Sequence, residues 1–224
     1  MPPDYNLYMG NTRHLTPFDR LLAEFDRALH TSFPAVTHTA ARANPAANTR
    51  TDELQADELR LAGRLMRINH AGEVAAQALY RGQACTALDS TVRDGMAQSA
   101  AEEIDHLAWC EERLRELDSA PSQLDPLWYL GSFAIGAAAG LVGDKFSLGF
   151  IAETERQVSA HLDRHLQRLP ADDARSRVIL EQMKTDETHH GDKASRAGGR
   201  PMPMPVRMLM RLTSKVMTET AYWI

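Results

Sequence analysis

Residues 180–194 read LEQMKTDETHHGDKA, a stretch that combines a helical apolar pattern with two polar residues on the apolar face. Leu180, Met183 and Ala194 recur at the spacing that places side chains on one face of an α-helix. Glu187 and His190 fall on that same face. The pattern therefore predicts a helix that carries a carboxylate and an imidazole into the interior of a helical bundle.

The pentapeptide DETHH at 186–190 contains two overlapping pairs, Asp186 with His189 and Glu187 with His190. The phase of the apolar positions distinguishes the two pairs. Glu187 and His190 continue the interior face, whereas His189 has polar neighbours and is expected to face solvent. Asp186 lies between the faces, four residues before His190, so we expect it to hold the imidazole of His190.

The same pattern recurs along the chain. Long helical segments are predicted at 53–87, 90–118, 127–169 and 172–197, with a break near the glycines at 140–143. Strand patterns are nearly absent, so the sequence predicts an all-α four-helix bundle. Each interior face contains one glutamate, and the second and fourth glutamates are followed three residues later by histidine: Glu73, Glu103 with His106, Glu155, and Glu187 with His190.

Four carboxylates inside a bundle need partners, because a buried unpaired carboxylate is strongly disfavoured. A glutamate and a histidine three residues apart share a helix face and can bind one metal ion. Two such pairs with two single glutamates are the ligand set of di-iron and di-manganese carboxylate bundles, and these donors suit iron or manganese. The six side chains are therefore predicted to bind metal. The alternative is an acidic interior held by salt bridges.

Composition and cysteine usage argue against several classes of function. The chain has 25 Lys and Arg against 30 Asp and Glu, a net charge of -5, so no nucleic-acid partner is predicted. Cys85 and Cys110 lack CxxC spacing, which argues against a zinc knuckle or a disulfide framework. The first residues lack the pattern of a secretory signal, so a cytoplasmic location is expected.

Two segments are candidates for contact with a membrane. Residues 126–143 are an uncharged stretch with four glycines, for which a buried or interface-lying helix is the favoured interpretation and a membrane span the alternative. A last helix at 206–221 places Arg207, Arg211 and Lys215 beside methionines and leucines. That combination is typical of a helix lying on a membrane surface.

Residues 1–51 are predicted to be an N-terminal extension, and residues 52–224 the bundle domain. Within the extension, residues 17–33 carry the apolar stripe of an amphipathic helix. Residues 35–50 are small, polar and aperiodic, which predicts a linker of limited order.

Four other side chains near the predicted ligands have open interpretations. His70, three residues before Glu73, either orients a ligand or is an ordinary hydrogen-bonded core histidine. His161 is interpreted as a partly exposed helix histidine, with a role in proton or electron transfer as the alternative. Glu102 and Glu153 are interpreted as residues that flank the ligands.

Three stretches carry a resemblance to a known family: NHAGEVAAQALYRGQ at 69–83, EEIDHLAWCEERL at 102–114 and LWYLGSFAIGAAAGLVGDKFSLGFIAETERQVSAHL at 127–162. They resemble the demethoxyubiquinone hydroxylases of ubiquinone biosynthesis, which are ferritin-like di-iron monooxygenases. The resemblance extends over residues 58–224 and implies a ferritin-like four-helix bundle. It carries the family's iron ligands to the same six residues: Glu73, Glu103, His106, Glu155, Glu187 and His190.

The resemblance further implies an enzyme with two iron ions per subunit that hydroxylates a polyprenyl methyl-methoxy-benzoquinol, a demethoxyubiquinol, with O2. The implied partners are the quinol, O2, a reductant, a membrane surface and other proteins of ubiquinone biosynthesis. The implied location is peripheral, on the cytoplasmic face of a bacterial cell membrane. Two rival functions stay open: an iron-storage or ferroxidase bundle, which needs a soluble cage, and a membrane-docked scaffold that binds quinones without turnover.

Overall fold

The computed structural model describes Asp26, Thr31, residues 38–50 and residues 53–224. Within residues 53–224 the helices are α1 Ala56–Thr86, α2 Ser90–Glu116, α3 Asp125–Val142, α4 Asp144–Arg168, α5 Ala174–Arg196 and α6 Met204–Ala221. The described ranges contain no strand, so the predicted all-α class is confirmed.

Two antiparallel helical hairpins, α1 with α2 and α4 with α5, form the bundle. Asp89 begins α2 by accepting hydrogen bonds from two backbone amides of its first turn, and Asp173 caps α5 through one amide. The hairpins face each other, with the Tyr80 hydroxyl of α1 donating to Glu155 of α4. The chain therefore has the predicted ferritin-like four-helix arrangement.

The third predicted helix is broken into α3 and α4, as its glycines indicated. Gly143 has a φ of 121°, a left-handed conformation that ends α3 and begins α4. Elsewhere α3 packs closely on α1. A Cβ at Gly82 would lie 2.7 Å from the backbone nitrogen of Ala137, and one at Gly136 would lie 3.0 Å from the carbonyl carbon of Leu79. The two backbones therefore touch where only glycine fits.

Apolar layers enclose the bundle centre from both ends. One layer includes Leu65, Trp109 and Leu180, and the other includes Met96 and Ile151. Each large side chain fully removed from water contributes roughly 1.5–3 kcal/mol. These layers offset the cost of the polar residues between them and separate those residues from solvent.

Residues 38–50, which we call the strap, pack on α2, so the expectation of limited order is wrong for them. The backbone N–H of His38 donates to Glu111 Oε2 at 3.1 Å, and His38 Nδ1 lies 2.6 Å from Glu111 Oε1. Ala46 is buried in the apolar layer around Trp109. The small side chains that suggested disorder instead let the strap backbone approach the acids of α2.

The predicted N-terminal helix at 17–33 lies almost wholly outside the described residues. Asp26 and Thr31 are described, and both are helical. Thr31 is buried, and its hydroxyl donates to Gln77 Oε1 of α1 at 2.5 Å. The division into an extension at 1–51 and a bundle domain at 52–224 stays a prediction.

Exposed apolar side chains concentrate on α3 and α6. Leu130 and Leu141 of α3 are 63% and 76% exposed, and Leu209 and Leu212 of α6 are 64% and 60% exposed. In the described part of the chain, no helix combines the length and the apolar character that crossing a membrane requires. The alternative of a span at 126–143 is therefore not supported.

Candidate metal centre

The six predicted ligand side chains lie together between the two apolar layers. They come from all four helices of the bundle: Glu73 from α1, Glu103 and His106 from α2, Glu155 from α4, and Glu187 and His190 from α5. None of them is more than 5% exposed. The helical phase read from the sequence therefore correctly places these side chains in the interior.

The donor atoms of the centre form two overlapping groups. In each group the atoms lie within 4.8 Å of one another; one group is Glu73, Glu103, His106 and Glu187, and the other is Glu155, Glu187 and His190. His106 Nδ1 lies 3.0 Å from Glu103 Oε2 and 3.1 Å from Glu187 Oε1. His190 Nδ1 lies 3.2 Å from Glu103 Oε1. Both imidazoles thus turn Nδ1 toward the carboxylates, and Glu187 belongs to both groups.

Several donor atoms are buried without a hydrogen-bond partner among the described residues. They are Glu103 Oε1, Glu155 Oε2, both carboxylate oxygens of Glu187, and His190 Nδ1. His190 Nδ1 nevertheless lies 3.2 Å from Glu103 Oε1, close enough for the charges of the two groups to interact. Unpaired buried oxygens are rare in native proteins unless an ion or water binds them. Four carboxylates also balance two divalent cations, so this donor set fits two metal ions.

The pKa values at the centre show that burial and mutual repulsion make it costly for the carboxylates to be charged together. Burial raises the pKa of Glu155 well above its ordinary value, and the charge of Glu187 raises it further. Burial likewise raises the pKa of Glu73, against the hydrogen bond of His106, which lowers it. Burial would lower the pKa of His106, but its contacts with Asp186 and the carboxylates raise it well above its ordinary value. Bound cations would displace these protons.

Each histidine of the centre contacts a second acid through Nε2. Asp186 Oδ2 lies 3.0 Å from His106 Nε2, and Glu102 Oε2 lies 2.8 Å from His190 Nε2. The expectation that Asp186 holds His190 is wrong, because Asp186 projects across to α2 rather than along its own helix. Glu102 is likewise more than a flanking residue. An acid on Nε2 holds a proton there and leaves Nδ1 free to bind a cation.

This crossed pairing has a signal in the sequence besides the Glu-x-x-His spacing. An acid directly precedes the glutamate of both pairs, so that acid-Glu-x-x-His occurs at 102–106 and again at 186–190. Because α2 and α5 run antiparallel, each leading acid reaches the histidine of the opposite helix.

The strap reaches the centre through Arg42. Its Nη1 donates to Asp186 Oδ2 at 2.8 Å, and its Nε donates to Asp105 Oδ2 at 2.6 Å. The guanidinium carbon lies 4.8 Å from the ring centroid of Trp109. A chain of contacts therefore runs from the strap through Asp186 to His106. Sequence reasoning missed Arg42 because no spacing rule connects it with acids 63 and 144 residues away.

Tyr80 orients one carboxylate of the centre. Its hydroxyl donates to Glu155 Oε1 at 2.6 Å, which leaves Oε2 of that carboxylate free. Its ring also lies edge-on to His190, with the ring centroids 6.2 Å apart. Sequence spacing alone gives no signal for this role of Tyr80, because Glu155 lies 75 residues away on another helix.

His70 and His161 contact none of the six side chains. His70 Nδ1 lies 3.1 Å from Asp125 Oδ2, so His70 is a paired core histidine and does not orient a ligand. His161 is partly buried, and its ring lies 4.0 Å from that of His165, centroid to centroid. A role for His161 in proton or electron transfer stays a hypothesis.

Comparisons with known proteins show which family the chain resembles. A family model described as "Ubiquinone biosynthesis protein COQ7" matches residues 60–221. A 3-demethoxyubiquinol 3-hydroxylase of Acinetobacter baylyi is 56% identical over 212 residues, which cover 95% of this chain and 100% of the relative. The protein of the same name from Cupriavidus necator is 59% identical over 208 residues, 92% of this chain and 100% of the relative. That from Nitrosococcus oceani is 54% identical over 212 residues, 95% and 99% of the two chains.

Proposed function

The chain belongs to the family of ubiquinone biosynthesis protein COQ7, and on that premise we propose that it is a 3-demethoxyubiquinol 3-hydroxylase. In the proposed reaction one oxygen atom of O2 enters a ring C–H bond of a polyprenyl methyl-methoxy-benzoquinol. The other oxygen atom leaves as water, with two electrons and two protons from a reductant. The observation that carries the proposal is the buried centre of four glutamates and two histidines.

The proposed cofactor is two iron ions per chain. Glu73, Glu103 and His106 would hold one ion, Glu155 and His190 the other, and Glu187 lies in reach of both. The fit rests on the unpaired buried oxygens and on the charge balance of the donor set. Iron bound there would supply the activation of O2 that amino-acid side chains cannot supply.

The chain's own residues prepare the centre for this task. Asp186 and Glu102 hold a proton on the outer nitrogens of His106 and His190, which keeps the inner nitrogens available. Tyr80 fixes one oxygen of Glu155. The apolar layers on both sides exclude water, which protects the reaction from competing proton transfer.

The proposed location is peripheral, on the cytoplasmic face of the cell membrane. A polyprenyl tail partitions into lipid, so a quinol hydroxylase must meet a membrane surface. The exposed leucines of α3 and α6 supply an apolar contact area, and both helices pack beside α1, where Ile68 and Ala221 share an apolar cluster. The reductant and other proteins of ubiquinone biosynthesis would approach from the remaining surface.

The hydroxylase proposal is tested with the iron-loaded protein, a demethoxyubiquinol, a reductant and 18O2. We expect the product to gain one 18O atom, read by mass spectrometry. Glu187→Ala should abolish this product, whereas Glu181→Ala, an exposed acid on the same helix, should leave the rate within a factor of about two.

The same experiment separates the rival functions. A ferroxidase would consume O2 in the presence of iron without labelling the quinol. A scaffold without turnover would give no labelled product at any iron loading. Either result, obtained with protein that holds iron, would overturn the proposal.

The membrane proposal is tested separately with neighbouring residues of α6. Leu212→Glu places a charge on the exposed apolar face, whereas Thr213→Glu places it at the next, polar and exposed position. We expect only Leu212→Glu to prevent sedimentation with phospholipid vesicles, while both variants keep their iron. Equal vesicle binding by both variants would contradict a membrane contact through this face.

A further inference from the structure

A cavity lies between α4 and α6, apart from the carboxylate centre. It has a volume of about 800 Å³, and none of the six centre residues lines it. Its walls carry five cationic side chains and one acidic side chain, Glu219; the cations are Arg156, Arg164, Arg168, Arg211 and Lys215. We call it the basic cavity. So strong a positive excess is unexpected by chance in a chain with a net charge of -5.

Most of these cations are not neutralised by acids. Arg156 pairs with Glu153 at 2.6 Å. Arg168 and Arg211, by contrast, make no side-chain hydrogen bond or ion pair within the described ranges. Because a cavity wall concentrates the field of its charges, unpaired cations there attract an anion more strongly than they would on a flat surface.

The pKa values of two histidines on the α4 wall reflect this positive charge. Burial, together with the charges of Arg164 and Arg168, lowers the pKa of His161 to about 4. Burial, then the charge of His161 and those of the same two arginines, lowers the pKa of His165 to about 2. His161 Nε2 is also buried and has no hydrogen-bond partner among the described residues. The cavity thus offers positive charge and an unsatisfied polar nitrogen.

The rim of the basic cavity adjoins the apolar face of α6. Arg211 lies directly beside the exposed Leu212, and Lys215 directly beside the exposed Val216. Trp223, 65% exposed, stands at the rim with the guanidinium of Arg64 4.5 Å from its ring centroid. Tryptophan and cations beside an apolar face are the arrangement found at the headgroup level of a membrane.

We propose that the basic cavity binds the phosphodiester headgroup of an anionic phospholipid. The cations face the phosphate, and the exposed apolar side chains of α6 face the acyl chains. A soluble phosphate would use the cations but would leave the adjoining apolar face without a partner. This inference rests on the proposed membrane contact of α6 and adds a lipid preference to it.

The test compares binding of the iron-loaded protein to vesicles of phosphatidylcholine alone and to vesicles that also contain phosphatidylglycerol. Arg168→Gln/Arg211→Gln removes two cavity cations. Arg60→Gln/Arg196→Gln removes the same charge from exposed positions outside the cavity. The wild type and this control should both prefer the phosphatidylglycerol vesicles. Each cation near the surface strengthens binding to anionic lipid about fivefold. Because the cavity variant lacks two such cations, its preference for phosphatidylglycerol vesicles should fall about 30-fold.

Each contrary outcome has a separate meaning. Equal losses in the cavity variant and the control would mean a diffuse charge effect and would overturn the site. A third outcome is that inorganic phosphate, added at unchanged ionic strength, releases the wild type but not the cavity variant from these vesicles. That result would mean that the cavity binds free phosphate and would overturn the proposal that a phospholipid is its ligand. Binding of the wild type to both vesicles without preference would overturn this inference alone. Failure to bind either vesicle would also overturn the proposed membrane contact.

Discussion

The contact between α1 and α3 can be tested with two glycines on the same helix. A Cβ at Gly136 would lie 3.0 Å from both Cα and the carbonyl carbon of Leu79, and closer still to its carbonyl oxygen. Carbon atoms in ordinary contact need about 3.5–4.0 Å. Gly136→Ala therefore requires α1 and α3 to separate. A Cβ at Gly131 would meet nothing within 4 Å, so Gly131→Ala is the matched control.

The expected magnitudes have opposite signs. Overpacking costs up to about 3 kcal/mol when a backbone must move, whereas alanine in place of glycine inside a helix gains about 1 kcal/mol. We expect Gly136→Ala to lower the free energy of unfolding by about 2 kcal/mol and Gly131→Ala to raise it by about 1 kcal/mol.

Urea unfolding followed by far-UV circular dichroism measures both changes. The free energy of unfolding should fall with urea concentration at the same slope in the wild type and in both variants. A shift in the unfolding midpoint then measures the change in stability. If Gly136→Ala were as stable as Gly131→Ala, the close crossing of α1 and α3 would be refuted. If both variants lost stability equally, a Cβ at Gly131 would have to meet other atoms, contrary to the open space around that position.

Two other outcomes concern the histidines. Burial lowers the pKa of His70, but contacts with Asp125 and Glu111 raise it, so that it changes from 6.5 to about 9 on folding. The protonated imidazole therefore stabilises the folded state fully below pH 6.5, and this stabilisation is lost as the pH rises toward 9. The unfolding free energy should fall by up to about 3 kcal/mol over that range, and His70→Phe should remove most of the slope. Asp186→Ala should weaken iron binding about 10–100-fold in chelator competition, because His106 loses its outer acid. His189→Ala, an exposed neighbour, should leave it unchanged, and equal weakening by both would count against the crossed pairing.

The parts of the centre that the sequence predicted are those that helical phase determines. Glu187 and His190 share a face with Leu180 and Met183, so one helix alone identifies them as interior residues. The same spacing recurs at Glu103 and His106, and this repetition made a metal centre the favoured prediction over a single chance pair. A break near the glycines at 140–143 was equally predictable, since glycine readily adopts the left-handed conformation that ends a helix, and the structure places it at Gly143.

The parts that the sequence did not predict depend on contacts between distant segments. Asp186 was assigned to the histidine on its own helix, but its rotamer reaches across to His106 on α2. Arg42 was placed in a linker of limited order, but the acids of α2 and α5 bind it to the bundle. Such pairs are set by how the helices pack. The repeated acid-Glu-x-x-His marks Asp186 as unusual, but its partner follows only once the packing of α2 against α5 is known, and no local spacing indicates the partners of Arg42.

The most direct test of the central claim is the number of iron atoms per chain, measured against hydroxylation. Iron is added stepwise to the metal-free protein, and bound iron and demethoxyubiquinol turnover are determined on the same samples. Binding should saturate at two iron atoms per chain, and turnover should require chains that hold both. Full hydroxylation by protein that holds one iron atom or none would contradict the account.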